Sequence, residues 1–260
     1  MAVIANRTRT ADTKARDQDS HEGLRHWPLG RRAWAFVGPV YIGLVLALVA
    51  LGLLIVHVLQ DTAFGRADVR VSRWFADRRE ATLNDVAHTV SFVSDSVIVI
   101  PLCAVLLVAC AIAFRRWHEI VMVIGALLLE KAMFLPTTFI VDRDRPPVGQ
   151  LAGDPPSSSF FSGHVAAAVA FYFGLYIVVR WHTESRAARR IAALIASMAV
   201  IVVALSRLVE GMHYLSDVAV GATVGAISLA VVRKALSYDH DTHHDAPQGL
   251  NAIPTASNVP

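Results

Sequence analysis

The stretch Ser206–Asp217 reads SRLVEGMHYLSD and lies where one apolar segment, 188–209, gives way to the next, 213–232. Each segment is about the length that crosses a bilayer, roughly 20 residues at 1.5 Å rise each. The stretch is therefore a tight polar turn between two apolar helices. It gathers Arg207, His213 and Asp217 at one membrane edge. With a helix from His213 onward, His213 and Asp217 stand four residues apart on one face. A carboxylate there fixes an imidazole tautomer and favours its cationic form. Arg207 offers a planar fork suited to phosphate or carboxylate. A histidine nucleophile held by an acid beside an anion clamp reads as phosphoryl chemistry.

Working outward, the same alternation runs along the chain. Of 260 residues, 55% are hydrophobic and 17% charged, and the mean hydropathy is +0.48. Further apolar runs fall at 33–59, 91–114, 118–141 and 164–181. The expectation is an all-α fold, a polytopic membrane helical bundle with about six transmembrane helices spanning residues 31–235. Residues 1–30 and 236–260 are polar and read as disordered cytoplasmic tails. The histidines of the second tail, His240, His243 and His244, read as part of that solvated segment. Residues 60–88 mix charges with Phe64, Val69, Val71, Trp74 and Phe75, the pattern of an amphipathic segment at the interface. Cys103 and Cys110 sit inside an apolar run and read as small buried hydrophobes.

Basic residues set the orientation. With six spans, Arg31, Arg32, Arg115, Arg116, Arg186, Arg189, Arg190, Arg233 and Lys234 share one side, which the positive-inside rule makes cytoplasmic. Trp34, Trp117 and Trp181 mark the same boundary. Both termini are then cytoplasmic, and SRLVEGMHYLSD faces outward. Five arginines between Arg66 and Arg79 count against this orientation. The net charge of +3 is scattered between spans, which suits topology rather than nucleic-acid binding.

A second outward loop, VDRDRPPVGQLAGDPPSSSFFSGH, carries Arg143, Arg145 and Ser162-Gly163-His164 at the start of a span. Amides at a helix N-terminus beside a glycine form an anion cradle, with His164 placed as a general acid. Together these blocks resemble the type 2 phosphatidic acid phosphatase superfamily, which includes membrane lipid phosphatases and undecaprenyl-diphosphate phosphatases. Its block SRxxxxxHxxxD matches in full. PSGH matches at Ser162, Gly163 and His164, with Phe161 for the proline. KxxxxxxRP matches only at Arg145-Pro146, with Thr138 for the lysine.

The resemblance implies a membrane phosphatase in which His213 attacks phosphorus, Asp217 orients it and His164 protonates the leaving oxygen. Arg145, Arg207, Ser162 and Gly163 would hold the phosphoryl group, with no cofactor and no metal. Asp142, Asp144 and Asp154 leave a magnesium cluster weakly open. Arg143 is the expected substitute for the absent lysine. Glu130 and Lys131, in mid-span, read as a local Glu–Lys or Glu–Arg contact buried between helices. The implied partners are membrane lipids and a lipid phosphate or diphosphate, of polyprenyl (undecaprenyl) or phosphatidate type. Transfer to a lipid or sugar acceptor, and lipid-phosphate binding or transport without efficient turnover, stay open as alternatives.

Overall fold

The computed structural model describes residues 27–80, 105, 117–151 and 157–244. Apart from residue 105, the expected second span at 91–114, with Cys103 and Cys110, lies outside the described residues, as do Asp154, most of the first tail and residues 245–260. The described elements are all helical: α1 (Arg31–Leu54, continued by a π-helical turn Ile55–Leu59), α2 (Ala63–Ala76), α3 (Trp117–Val141), α4 (Gly163–His182), α5 (Arg186–Val209) and α6 (Leu215–His244). Among the described residues, five helices are long and apolar enough to cross a membrane: Arg31–Leu59, Trp117–Val141, Gly163–His182, Arg186–Val209 and Leu215–Tyr238.

The last helix runs past the expected end of the membrane domain, so 236–244 is helical where a disordered tail was expected. No glycine or proline interrupts the chain there until Pro247. An i,i+4 contact of Lys234 with the Tyr238 ring, 4.9 Å to its centroid, adds support to this turn.

The bundle packs by close backbone approach and by re-satisfying polar groups. A Cβ on Gly221 would overlap the Ser162 carbonyl oxygen, and one on Gly225 that of Ala166. Two glycines four residues apart thus let α6 lie directly on α4, the device membrane helices use in place of a hydrophobic drive. Pro136 lies inside α3 and cannot donate to the carbonyl four residues earlier, that of Ala132. The Tyr41 hydroxyl of α1 donates to that carbonyl at 3.2 Å, which removes an unsatisfied acceptor from the apolar region. The outer face of α5 exposes Leu194, Ile195, Met198, Ile201 and Leu205, as a lipid-facing stripe does.

Helix α2 is inverted relative to a soluble amphipathic helix. Its buried residues are Gly65, Asp68 and Ser72, whereas Phe64 and Trp74 are exposed. An apolar outer face with a polar inner one fits a helix lying in the membrane interface. That inward polar face reaches the site described next.

Candidate active site

The site forms where the C-terminal ends of α3 and α5 meet the N-terminal ends of α4 and α6. Helix α3 stops at Asp142, which takes φ 44°, a left-handed conformation that aspartate tolerates better than most residues. The turn after α5 is a Schellman motif. The Met212 amide donates to Arg207 O at 3.1 Å and the Gly211 amide to Leu208 O at 3.2 Å. Gly211, at φ +71°, fills the position that demands glycine. This turn delivers His213 to the mouth of α6.

The first turn of α6 carries one half of a capping box. Asp217 Oδ2 accepts from the Tyr214 amide at 2.9 Å, an acid at the third helical position reaching back to the N-cap. The same oxygen accepts from Ser159 Oγ at 2.6 Å, and Oδ1 accepts from Arg143 Nη1 at 2.5 Å. The Asp217 carbonyl accepts the Ser162 amide at 3.1 Å, which ties the start of α4 to the start of α6.

His213 is buried, and its Nδ1 lies 2.8 Å from Ser159 O. A carbonyl oxygen only accepts, so Nδ1 carries the proton and Nε2 carries the lone pair. Burial pulls the imidazole well below its ordinary pKa of 6.5; the charges of Arg145, His164 and Arg207 act in the same direction, against the bond to Ser159. The neutral, nucleophilic form is therefore favoured. This corrects the expectation that Asp217 orients His213 directly and favours its cation. The carboxylate is taken up by Arg143, Ser159 and the Tyr214 amide, and it reaches the imidazole only through Ser159.

The electrostatic neighbours of His213 are Arg145, His164 and Arg207, so the structure brings three of the remaining sequence-predicted residues to His213. Arg145 is fixed by carbonyls, donating to Met212 O at 2.5 Å and to Ser157 O at 2.9 Å. Arg207 Nη2 lies 2.8 Å from Glu210 Oε2. Ser162 and Gly163 lie at the start of α4, and the buried Ser162 Oγ has no hydrogen-bond partner among the described residues. Phe161, in the place of a proline, is wholly buried and packs edge-on to Phe134 of α3 at 5.6 Å. Aromatic packing fixes this loop where a proline ring would otherwise stiffen it.

Arg143 is not placed as a substitute for the missing lysine. Its guanidinium donates to Asp68 at 3.1 Å and to Asp217, with only 4% of its side chain exposed. It also stacks over Tyr214 at 3.9 Å and donates to Ser216 Oγ at 2.9 Å. Asp68 in turn accepts from the Ser216 amide at 3.1 Å and from its hydroxyl, docking α2 on α6. Arg143 thus braces Asp217. Thr138 is buried in α3, and its hydroxyl lacks a hydrogen-bond partner among the described residues.

Glu130 and Lys131 are not buried together between helices, although the Lys131 charge acts on Glu130. Glu130 is 1% exposed, whereas Lys131 is exposed with its ammonium 4.9 Å from the Phe134 ring centre. Consecutive helical residues point to different faces. Among the described residues no group of three or more His, Cys, Asp or Glu is placed to hold a metal ion. Sequence reasoning missed Asp68, Ser159, Glu210 and Ser216. Glu210 was visible inside the opening stretch, and Asp68 as an acid on an amphipathic helix.

The PAP2 superfamily matches residues 119–241. Those limits take in both histidines and all three blocks described above. This match covers just under half of the chain. The fold of the chain is similar to that of a transmembrane PAP2 type phosphatidylglycerolphosphate phosphatase from Bacillus subtilis. That similarity has a TM-score of 0.58 and 20% identity, over 81% of this chain and 98% of that one. It is also similar to Aquifex aeolicus LpxE, at TM-score 0.52 and 22% identity, over 68% of this chain and 99% of the other. No curated protein matches the sequence. At these identities the two solved structures support the PAP2 helical architecture.

Proposed function

We propose that this PAP2 membrane phosphatase hydrolyses a lipid phosphate or diphosphate at the extracytoplasmic face through a phosphohistidine, without a metal. The observation that carries the reading is the bond from His213 Nδ1 to Ser159 O, which leaves Nε2 as a lone-pair nucleophile among Arg145, His164 and Arg207. Nε2 attacks phosphorus and the bond to the lipid oxygen breaks as the N–P bond forms. His164, protonated, gives its proton to the leaving oxygen. Neutral His164 then takes a proton from water, whose oxygen attacks phosphorus, and the N–P bond breaks to release inorganic phosphate. Arg145, Arg207 and the amides at the start of α4 stabilise the charge on the equatorial oxygens. Through both steps the proton stays on Nδ1, donated to Ser159 O, whose position Asp217 fixes through the Ser159 hydroxyl.

The extracytoplasmic placement rests on the basic residues. Arg31 and Arg32 begin α1, and Arg186, Arg189 and Arg190 begin α5. The site lies at the other end of α5, whose 24 residues span about 36 Å. Trp27 and Trp117 meet edge-on at 5.4 Å at the α1 and α3 N-termini, as interfacial tryptophans do. A lipid headgroup meets the site at the membrane edge while its apolar anchor stays among the helices.

The test is phosphate release by purified protein from a panel of polyprenyl diphosphate, phosphatidate and phosphatidylglycerol phosphate, in EDTA and without an acceptor. Release in EDTA that His213→Ala abolishes is expected, with an acid-labile phosphoprotein trapped early in turnover. Strict magnesium dependence, release by His213→Ala, or product formed only with an added acceptor would refute the reading.

A further inference from the structure

The mechanism above gives no task to Glu210, a carboxylate 0% exposed inside the turn that delivers His213. Its position is unfavourable on two counts. It is the C-cap of α5, at the negative end of a helix dipole, where an anion is repelled. It is also buried, which penalises its charge. A well-packed apolar side chain would serve stability as well or better, since breaking even with a buried ion pair is the usual result of such a replacement.

Two arginines offset that cost. Arg207 Nη2 stands 2.8 Å from Glu210 Oε2, with side-chain exposures of 3% and 1%. Arg79, from the segment after α2, is electrostatically coupled to Glu210 as well. Arg79 is itself pinned across the turn, donating from Nε to Val209 O at 2.7 Å and from Nη1 to Gly149 O at 2.5 Å. The Leu151 amide donates to the Glu210 carbonyl at 3.1 Å. A chain of alternating charge therefore runs from Arg79 through Glu210 to Arg207, and Arg207 acts on His213.

We infer that Glu210 is a positioning residue of the phosphate clamp: it holds the Arg207 fork beside His213 and shares its charge, so that a bound phosphoryl group competes with an internal carboxylate. The inference rests on the phosphatase reading. Its chemical consequence is weaker ground-state binding of phosphate. Uniform binding of substrate, intermediate and product does not raise kcat, and a clamp that grips inorganic phosphate less tightly releases it sooner.

The test is Glu210→Gln, which keeps size and shape and removes the charge. It is made in the full chain in mixed micelles and read as KM, kcat and the inhibition constant of inorganic phosphate. KM and the phosphate inhibition constant are expected to fall about tenfold, the scale of a close charge pair, while kcat falls as release slows. A folded Glu210→Gln with both constants unchanged or raised overturns the inference, whatever its melting temperature. Should that variant not fold, Glu210→Asp decides. It keeps the charge but withdraws it by one methylene, so a smaller fall in both constants is expected, and unchanged or raised constants are refuting. A wild type that turns over while the variants behave like it overturns this inference alone. A wild type that neither releases nor binds phosphate overturns the phosphatase reading and this inference with it.

Discussion

Replacing Arg143 with alanine separates a brace from a clamp. Arg143 joins two carboxylates, and the side chains of Arg143, Asp68 and Asp217 are 4%, 5% and 0% exposed. Removing one partner of a buried ion pair costs about 3–5 kcal/mol, because the other charge is left uncompensated in a dry setting. Here two carboxylates are left facing the same gap. The stacking over Tyr214, worth roughly 1 kcal/mol, is lost as well. Against a total stability of about 5–15 kcal/mol, a loss on this scale lowers the melting temperature by about 10 °C or more. Arg145→Ala should behave oppositely. It frees two carbonyls, of Met212 and Ser157, at a half-buried position, and its effect should fall on turnover by about 10²–10³. The assay is thermal unfolding in detergent beside kcat/KM and phosphate inhibition for both variants. An Arg143→Ala protein that melts within about 2 °C of the wild type and has lost phosphate affinity as Arg145→Ala has would refute the assignment. Arg143 would then be a phosphate ligand after all.

The neutral His213 makes stability depend on pH. Its folded pKa lies well below 6.5, so below that pH the unfolded chain binds a proton the folded one does not, and stability falls with pH. Melting curves of wild type and His213→Gln should run parallel above pH 6.5, with the wild type losing ground to the variant towards pH 5; curves parallel throughout would contradict the shift. Gly211→Ala meets both a left-handed backbone, φ +71°, and Arg79 Nη2 at 2.7 Å from its new Cβ. A loss of about 1–2 kcal/mol or more should appear as a lower melting temperature with lower kcat, and a variant of wild-type stability would be inconsistent with the Schellman turn. Tyr41→Phe strips the Ala132 carbonyl of its donor, at a cost of about 0.6–1.7 kcal/mol. Its melting temperature should drop while KM holds.

The sequence exposed what depends on spacing. Apolar runs of span length bounded by charged knots gave the helices, and the intervals within SRLVEGMHYLSD put Arg207 and His213 at one edge. The proline at 136 announced a freed carbonyl but not the Tyr41 hydroxyl that meets it, because that donor lies 91 residues away in sequence. The same limit explains the missed site residues. Ser159 acts through its backbone carbonyl, which any residue type would supply, and Asp68 reaches the site only because α2 lies across the mouth of α6. The helical stretch 236–244 was legible in principle, since breakers are absent there, but its polarity weighed more heavily than its continuity.

Misplacing Arg143 and Asp217 had one cause. An i,i+4 spacing places His213 and Asp217 on a common face only when both belong to the helix, and α6 begins at Leu215. His213 lies outside it, in the Schellman turn, where its Nδ1 turns to the Ser159 carbonyl. Asp217 then occupies the third helical position and caps the Tyr214 amide, leaving its second oxygen for Arg143. With its oxygens taken up by Arg143, Ser159 and the Tyr214 amide, the Asp217 carboxylate makes no direct bond to the imidazole, and burial favours the neutral ring. The arrangement therefore favours the nucleophile before attack. In the proposed mechanism it also leaves the charge of a phosphohistidine to be balanced by the phosphoryl oxygens themselves. Asp217→Asn should accordingly reduce kcat mainly by loosening Ser159, and Ser159→Ala, which keeps the carbonyl and removes only the hydroxyl bond at 2.6 Å, should reproduce part of that loss. A Ser159→Ala enzyme with wild-type kcat beside a crippled Asp217→Asn would show that the carboxylate acts on His213 by another route.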